Sequence, residues 1–242
     1  MHEAIEQRLI DVQSEVRRAF GWMMEDDSRS ASDMIELVDD LASSVPFWSD
    51  EGRMDCFEGV GRRLREAGLV TILGAAATPE EAIALTEEDG VIIAADGSVG
   101  ALDSFQRLVC VVSDFDGGQY LESAAKEGVP IVAHGHGDNT GRAKKALTTW
   151  AKFESPPQLI LSHQTTLVHP GAHNFGGFTD GDRAVCFALA MGVKKENIAL
   201  VGFSINAVGR WSATTVPELK LNKLDWMYRI LEMLGLHGAI LS

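Results

Sequence analysis

The chain has 242 residues, 45% of them hydrophobic and 23% charged, ordinary usage for one large globular α/β domain and far from a disordered composition. Against 21 basic residues stand 35 acidic ones, a formal net charge of -14, which excludes a protein that tracks nucleic-acid phosphates along a basic stripe. No apolar run approaches the ~18 residues of a bilayer span. The acidic start from Met1 to Glu6 lacks the basic region of a signal peptide, so a cytoplasmic protein free of membrane partners is expected.

The first 68 residues read as helix after helix. Ile5, Leu9, Val12 and Val16 recur at three- and four-residue steps, as do Met34, Leu37, Val38 and Leu41. Ser32-Asp33 stands where a cap would open the second helix, and a third helix, Arg53 to Ala67, is expected to stop at a left-handed Gly68. The division expected is a helical N-terminal segment over 1–68, with a face for a homodimer, and an α/β domain over 69–242.

From Leu69 the texture changes to short β-branched runs at helical separations: 69–73, 91–95, 108–112, 130–133, 159–161 and 198–201. The runs are continuous rather than alternating, as strands are when crossover helices cover both faces. The fold class is therefore α/β with a doubly wound, mostly parallel sheet and a helical N-terminal segment. Cys56, Cys110 and Cys186, odd in number and without CxxC spacing, read as buried thiols. A last helix carries Leu221, Leu224, Met227, Tyr228, Leu231 and Leu234 on one face.

Ligands of open α/β sheets sit beyond the carboxyl ends of the strands, so the loops after the strands carry the chemistry. Those loops open with Gly74-Ala75-Ala76-Ala77, Asp96-Gly97-Ser98, Ser113-Asp114-Phe115-Asp116-Gly117, His134-Gly135-His136-Gly137-Asp138-Asn139 and His163-Gln164-Thr165-Thr166. Asp96, Asp114, Asp116 and Asp138 would all project from one edge. Asp114 and Asp116 flank Phe115, so in an extended chain both face one side and the ring the other. Two carboxylates about 6 Å apart repel by roughly 3 kcal/mol at an effective dielectric near 20, so a cluster calls for a cation. Oxygen-only ligands favour a hard one such as magnesium.

The histidines bunched between 134 and 173 also raise zinc, but His134-x-His136-x-Asp138 is followed by Asn139 where the metallo-hydrolase pattern HxHxDH needs its last histidine. No GxxxxGK[ST] occurs, so a P-loop is excluded. Gly74 and its small neighbours would let backbone amides approach phosphates, or would simply pack tightly. Arg142, Lys144, Lys145 and Arg183 are cations that clamp a phosphate or are simply solvated helix residues, and Phe175, Phe178 and Trp211 are rings that stack on a ligand or fill the core.

The series ADG (Asp96-Gly97), SDFDG (Asp114 to Gly117), HGHGDN (His134 to Asn139), QTT (Gln164 to Thr166) and NFGGFTDGDRA (Asn174 to Ala184) resembles the archaeal 6-hydroxymethyl-7,8-dihydropterin pyrophosphokinases over residues 70 to 210. FGWMMEDDSRSA (Phe20 to Ala31) is similar to that family's helical leader. The resemblance implies transfer of diphosphate from ATP to a pterin hydroxymethyl group, with AMP leaving, in a folate-like or methanopterin-like pathway. It implies magnesium on Asp96, Asp114, Asp116 and Asp138, with Asp114, Asp116 and Arg183 catalytic. It further implies ATP contacts from Gly74, Gly97, Asn139, Lys144, Gln164, Thr165 and Thr166, and pterin contacts from Asn174, Phe175 and Asp180. Relatives commonly carry a Gly-x-Gly-Pro-Ser-like loop after the first strand, where this chain has Gly74-Ala75-Ala76-Ala77-Thr78. ADG, DFD and DNTGRAKKAL (Asp138 to Leu147) also resemble, more distantly, the catalytic domain of thiamin pyrophosphokinases. A glycosyltransferase related to the motility-associated flagellin enzymes, and a non-catalytic nucleotide-binding module, are the other readings.

Overall fold

The computed structural model describes residues 3–87, 89–212 and 217–240; Met1, His2 and the side chain of Ile5 lie outside the described residues. Helices α1 (Glu3–Phe20), α2 (Met24–Leu41) and α3 (Asp50–Glu66) precede strand β1 (Val70–Leu73). Helix α4 (Pro79–Glu87), strands β2 (Val91–Ala95) and β3 (Leu108–Ser113), α5 (Gly118–Lys126) and β4 (Ile131–Gly135) follow. The chain then runs through α6 (Thr140–Trp150), β5 (Leu159–His163), α7 (Asp180–Ala190), β6 (Ile198–Val201) and α8 (Pro217–Leu234).

Local chemistry explains the helix ends. Before α4, Thr78 and Glu81 form a reciprocal capping box: the Glu81 N–H donates to Thr78 Oγ1 and the Thr78 N–H to Glu81 Oε2. Two sequence expectations shift. Helix α2 opens at Met24, and Ser32-Asp33 lies inside it, because Asp27 and Ser30 are buried in hydrogen bonds to Gly137, Gln164 and Asn139 and extend the buried face two turns earlier. Helix α3 opens at Asp50 on a Ser49 cap, and its stop is Ala67 turning extended rather than Gly68 turning left-handed.

All six strands pair in parallel, in the order β5-β4-β3-β2-β1-β6, so the sheet is wholly parallel. Helices cover both faces. Leu9, Val12, Cys56, Val60, Leu64, Phe187 and Leu231 share one core with the face formed by Val70, Ile72 and Val112. Met34, Val38, Leu85, Leu121, Leu147 and Trp150 share the other with Leu73, Val111 and Leu161. The helices of the first 66 residues thus contribute to both cores. Each such buried side chain is worth about 1.5–3 kcal/mol. The Pro156-Pro157 loop does more than connect: buried Trp48 donates its indole N–H to the Pro157 carbonyl. All three cysteines are buried free thiols, and no helix among the described residues is long and apolar enough to cross a membrane.

Neighbours β1 and β6 send their chains to opposite faces, β1 onward to α4 and β6 onward to α8. That divergence opens a crevice at their carboxyl ends. The loops there interlock. The Ala76 N–H donates to the Gly202 carbonyl and the Trp211 N–H to the Ala75 carbonyl. Gly202 holds φ +72, and a Cβ on it would stand 2.4 Å from the Ala77 nitrogen. We expect Gly202→Ala to cost at least about 2 kcal/mol, from the left-handed backbone and the backbone clash together, read as a fall in the urea midpoint at unchanged slope.

Candidate active site

Asp96 follows β2, and Asp114 and Asp116 follow β3, so neighbouring parallel strands deliver all three to one rim. One carboxylate oxygen from each lies within 4.8 Å of the others. Two residues in left-handed backbone, Asp96 (φ 48) and Phe115 (φ 72), bend the loops to achieve this. The chain at Phe115 is therefore a turn and not the extended stretch expected, although the outcome for the side chains is the same. Ser113 braces the turn, donating to Asp96 Oδ1 at 2.5 Å and accepting the Phe115 N–H at 2.9 Å. The Phe115 ring is buried beside Trp150, 5.7 Å between centroids.

At this separation each pair of carboxylates repels by about 3 kcal/mol. Burial, then Asp116 and Asp180, pushes the Asp96 carboxyl well above the usual range. Burial and Asp114 push Asp180 up to about 8. Asp114 goes the other way. Burial would raise it too, but the His136 hydrogen bond and charge, helped by Arg183 and Arg142, hold it below the usual range. His136 Nε2 stands 3.0 Å from Asp114 Oδ2, whereas Asp114 Oδ1 is buried with no hydrogen-bond partner. An orphaned carboxylate oxygen among three all-oxygen donors fits a hard dication.

Two clefts meet at the acidic rim. The first lies in the β1–β6 crevice between the glycine loops (Gly74, Gly97, Gly202) and α8. The second lies toward the α1–α2 turn and is lined by Trp22, Gln164, Phe178, His136 and Arg183. Asp116, Asp180 and Lys220 line both. A groove over α5 and α6, with Arg142 and Lys145, also reaches Asp116.

Of the residues singled out from sequence, these clefts gather Asp96, Asp114, Asp116, Asp180, Arg183, Gln164, Gly74 and Gly97. Both glycines are required by packing: a Cβ on Gly74 would lie 2.5 Å from the Gly202 carbonyl oxygen, and one on Gly97 2.3 Å from that of Trp211. Arg183 is buried, donating to Asp180 and to the Phe178 carbonyl.

The others stand elsewhere, each for a visible reason. Asp138 is outside the trio, its side chain 83% exposed, 3.7 Å from His136 and 3.8 Å from Arg142. Asn139 is fully buried and is a fastener: it accepts from Ser30 and the His136 N–H and donates to the Asp114 and His134 carbonyls. Lys144 turns toward α2, among Asp33, Glu36 and Asp40. Thr165 is spent on its own loop, and the exposed Thr166 hydroxyl reaches Met24. Asn174 pairs reciprocally with Gln13 of α1. Phe175 packs among Phe57, His173 and Phe187. His136, Lys220, Lys223 and Trp22 were not singled out as site residues. His136 stands in the HGHGDN motif, and Trp22 in the leader, but Lys220 and Lys223 carry no local signal.

His134 and His163 are held in contacts of their own, outside the acidic trio. Buried His134 meets Ser162 Oγ at 2.9 Å, and burial, then Arg183 and His136, drives its pKa well below the usual value. His163 accepts the Thr165 N–H at Nδ1, which requires a neutral ring. Burial, then His169 and His173, lowers it to about 4.

Comparison with known proteins identifies relatives over most of the chain. The chain is 37% identical over 179 residues to the 6-hydroxymethyl-7,8-dihydropterin pyrophosphokinase of Pyrococcus furiosus, covering 70% of this chain and 73% of that one. It is 31% identical over 163 residues to the enzyme of that name from Methanothermobacter thermautotrophicus, covering 64% and 67%. The chain belongs to the 6-hydroxymethyl-7,8-dihydropterin pyrophosphokinase family. No family model matches it. The pyrophosphokinase family consists of diphosphotransferases, and the resemblance noted from the Asp96 to Ala184 motifs stands.

Two outcomes are expected. Asp96→Asn removes a repelling charge and suits the left-handed backbone better, so it raises the thermal midpoint of the metal-free protein while abolishing any rise on adding magnesium. For His163, whose folded pKa lies below the unfolded value near 6.5, stability is full above that value. It falls as pH drops toward 4, by about 1.4 kcal/mol per pH unit. Urea midpoints between pH 7 and 5 read this fall, which is smaller in His163→Asn but not abolished, because buried His134 titrates in the same sense.

Proposed function

We propose that this pyrophosphokinase family member transfers diphosphate from ATP to the hydroxymethyl oxygen of 6-hydroxymethyl-7,8-dihydropterin, with magnesium as cofactor and AMP as product, in the cytoplasm. The observation that carries the proposal is the carboxylate trio at the junction of two clefts, since joining two substrates through a polyphosphate needs a cation site between them. Asp96, Asp114 and Asp116 would hold the magnesium, which when bound neutralises phosphate charge and polarises the transferring group.

The chain's own groups do the rest. The crevice between β1 and β6, with Gly74 and Gly97 in its wall, receives the nucleotide; the second cleft receives the pterin. The acceptor oxygen bonds to the β-phosphorus as the bond from that phosphorus to the α-phosphate oxygen breaks. Asp116, which faces both clefts, takes the hydroxyl proton. Lys220, common to both, and Arg183 in the second offset the negative charge that builds on oxygen. His136 keeps Asp114 ionised and oriented. Half-buried Asp180, beside Arg183, supplies an acceptor for the amino and amide edge of a pterin. The same trio would serve a thiamin acceptor, which the relatives' shared name does not favour.

Incubating the protein with ATP, magnesium and the dihydropterin should yield AMP and the pterin diphosphate in equal amounts. ADP in place of AMP, or equal turnover of thiamin, would overturn the proposal. Asp114→Asn should lower kcat at least ~1,000-fold with an unchanged circular dichroism spectrum.

A further inference from the structure

The second cleft has an aromatic wall that the reaction chemistry leaves unused. Helix α1 ends at Phe20, the chain reverses through Gly21 at φ +70, and Trp22 emerges before α2 begins. Its indole stacks on Phe20, 4.7 Å between centroids and 19° between planes, and lies 6.1 Å from the Phe178 ring. Trp22 and Phe178 line the same cleft as Gln164, Asp180 and Arg183. Lys223 of α8 reaches over both rings, 5.4 Å and 5.9 Å from their centroids.

We infer that Trp22 is the stacking platform for the flat ring of the acceptor, and so a specificity-determining residue supplied by the helical leader; this rests on the diphosphate-transfer reading above. A fused heterocycle offers two chemistries, a broad π face and an edge of paired donors and acceptors. The cleft offers the complement of each: two aromatic rings, and beside them a carboxyl group and a carboxamide. A loop indole would be a poor platform if it were mobile, but this one is anchored. Buried Asp27, five residues on, accepts from the Gly137 N–H at 2.8 Å, Gln164 Nε2 at 2.9 Å and Arg17 at 3.2 Å. Arg17 also donates to the Gln164 carbonyl at 2.8 Å. The turn carrying Trp22 is thereby fixed to the β4 and β5 loops, and Gln164 is held in the same network. Lys223, long and flexible, is the side chain that gives way to the ring.

The test compares wild type, Trp22→Ala and Trp22→Phe, with Trp22→Leu as the variant that keeps apolar bulk against Phe20. Each is titrated calorimetrically with 6-methyl-7,8-dihydropterin, which lacks the reacting hydroxyl, and assayed for KM of both substrates. Trp22→Ala and Trp22→Leu should weaken methyldihydropterin binding and raise the acceptor KM about tenfold or more, leave the ATP KM within twofold, and be largely rescued in Trp22→Phe. Active variants that bind the pterin as wild type does would overturn the role of Trp22 and leave diphosphate transfer standing. A tenfold rise in the ATP KM instead would also overturn it, assigning the indole to the nucleotide. Wild-type protein that neither binds the pterin nor releases AMP would overturn both readings together.

Discussion

Repulsion among carboxylates at the rim of a parallel sheet is the constraint that this fold is arranged around. Three acidic groups within 4.8 Å of each other oppose folding, and the structure meets that cost with local restraints rather than by separating them. Ser113 clamps Asp96, His136 clamps Asp114, and two non-glycine residues accept left-handed backbone to keep the loops bent. Asn139, invisible from the clefts, ties the carbonyls of Asp114 and His134 together behind them. An arrangement that is unfavourable in isolation, and held from several directions, is the signature of a site kept for its chemistry.

The helical leader belongs to this same system. Its apolar stripes enter both cores, and its polar residues reach the rim through Asp27, a buried carboxylate answered by one guanidinium, one amide side chain and one backbone N–H. Breaking such a buried pair from one side leaves an uncompensated charge, so the leader and the loops after β4 and β5 are energetically one piece. Gln13, paired with Asn174, makes a second tie between α1 and the loop before α7.

Much of the fold was legible because its signals are local. Continuous β-branched runs marked all six strands within a few residues, and glycine-rich loops after them marked the binding edge. The site was legible where a residue follows its strand directly, as Asp96, Asp114 and Asp116 do. It was not legible where side-chain direction depends on a partner far away in sequence. Asp138 and Asn139 sit side by side in one motif, yet one faces water and the other vanishes behind the loop, because only the turn geometry and Ser30 decide between them. Asn174 and Phe175 are claimed by Gln13 and Phe57, which no spacing rule connects to them. Lys220 and Lys223 reach the clefts only because α8 crosses back over the sheet, a tertiary fact without a sequence pattern.

Strand β6 is the last of the six along the chain and sits beside the first. During synthesis the acidic rim is complete long before the wall that turns it into a crevice, since that wall waits for Ile198 to leave the ribosome. A polypeptide cut short upstream of that point would carry its crowded acids without the Gly202 and Phe203 wall of the first cleft.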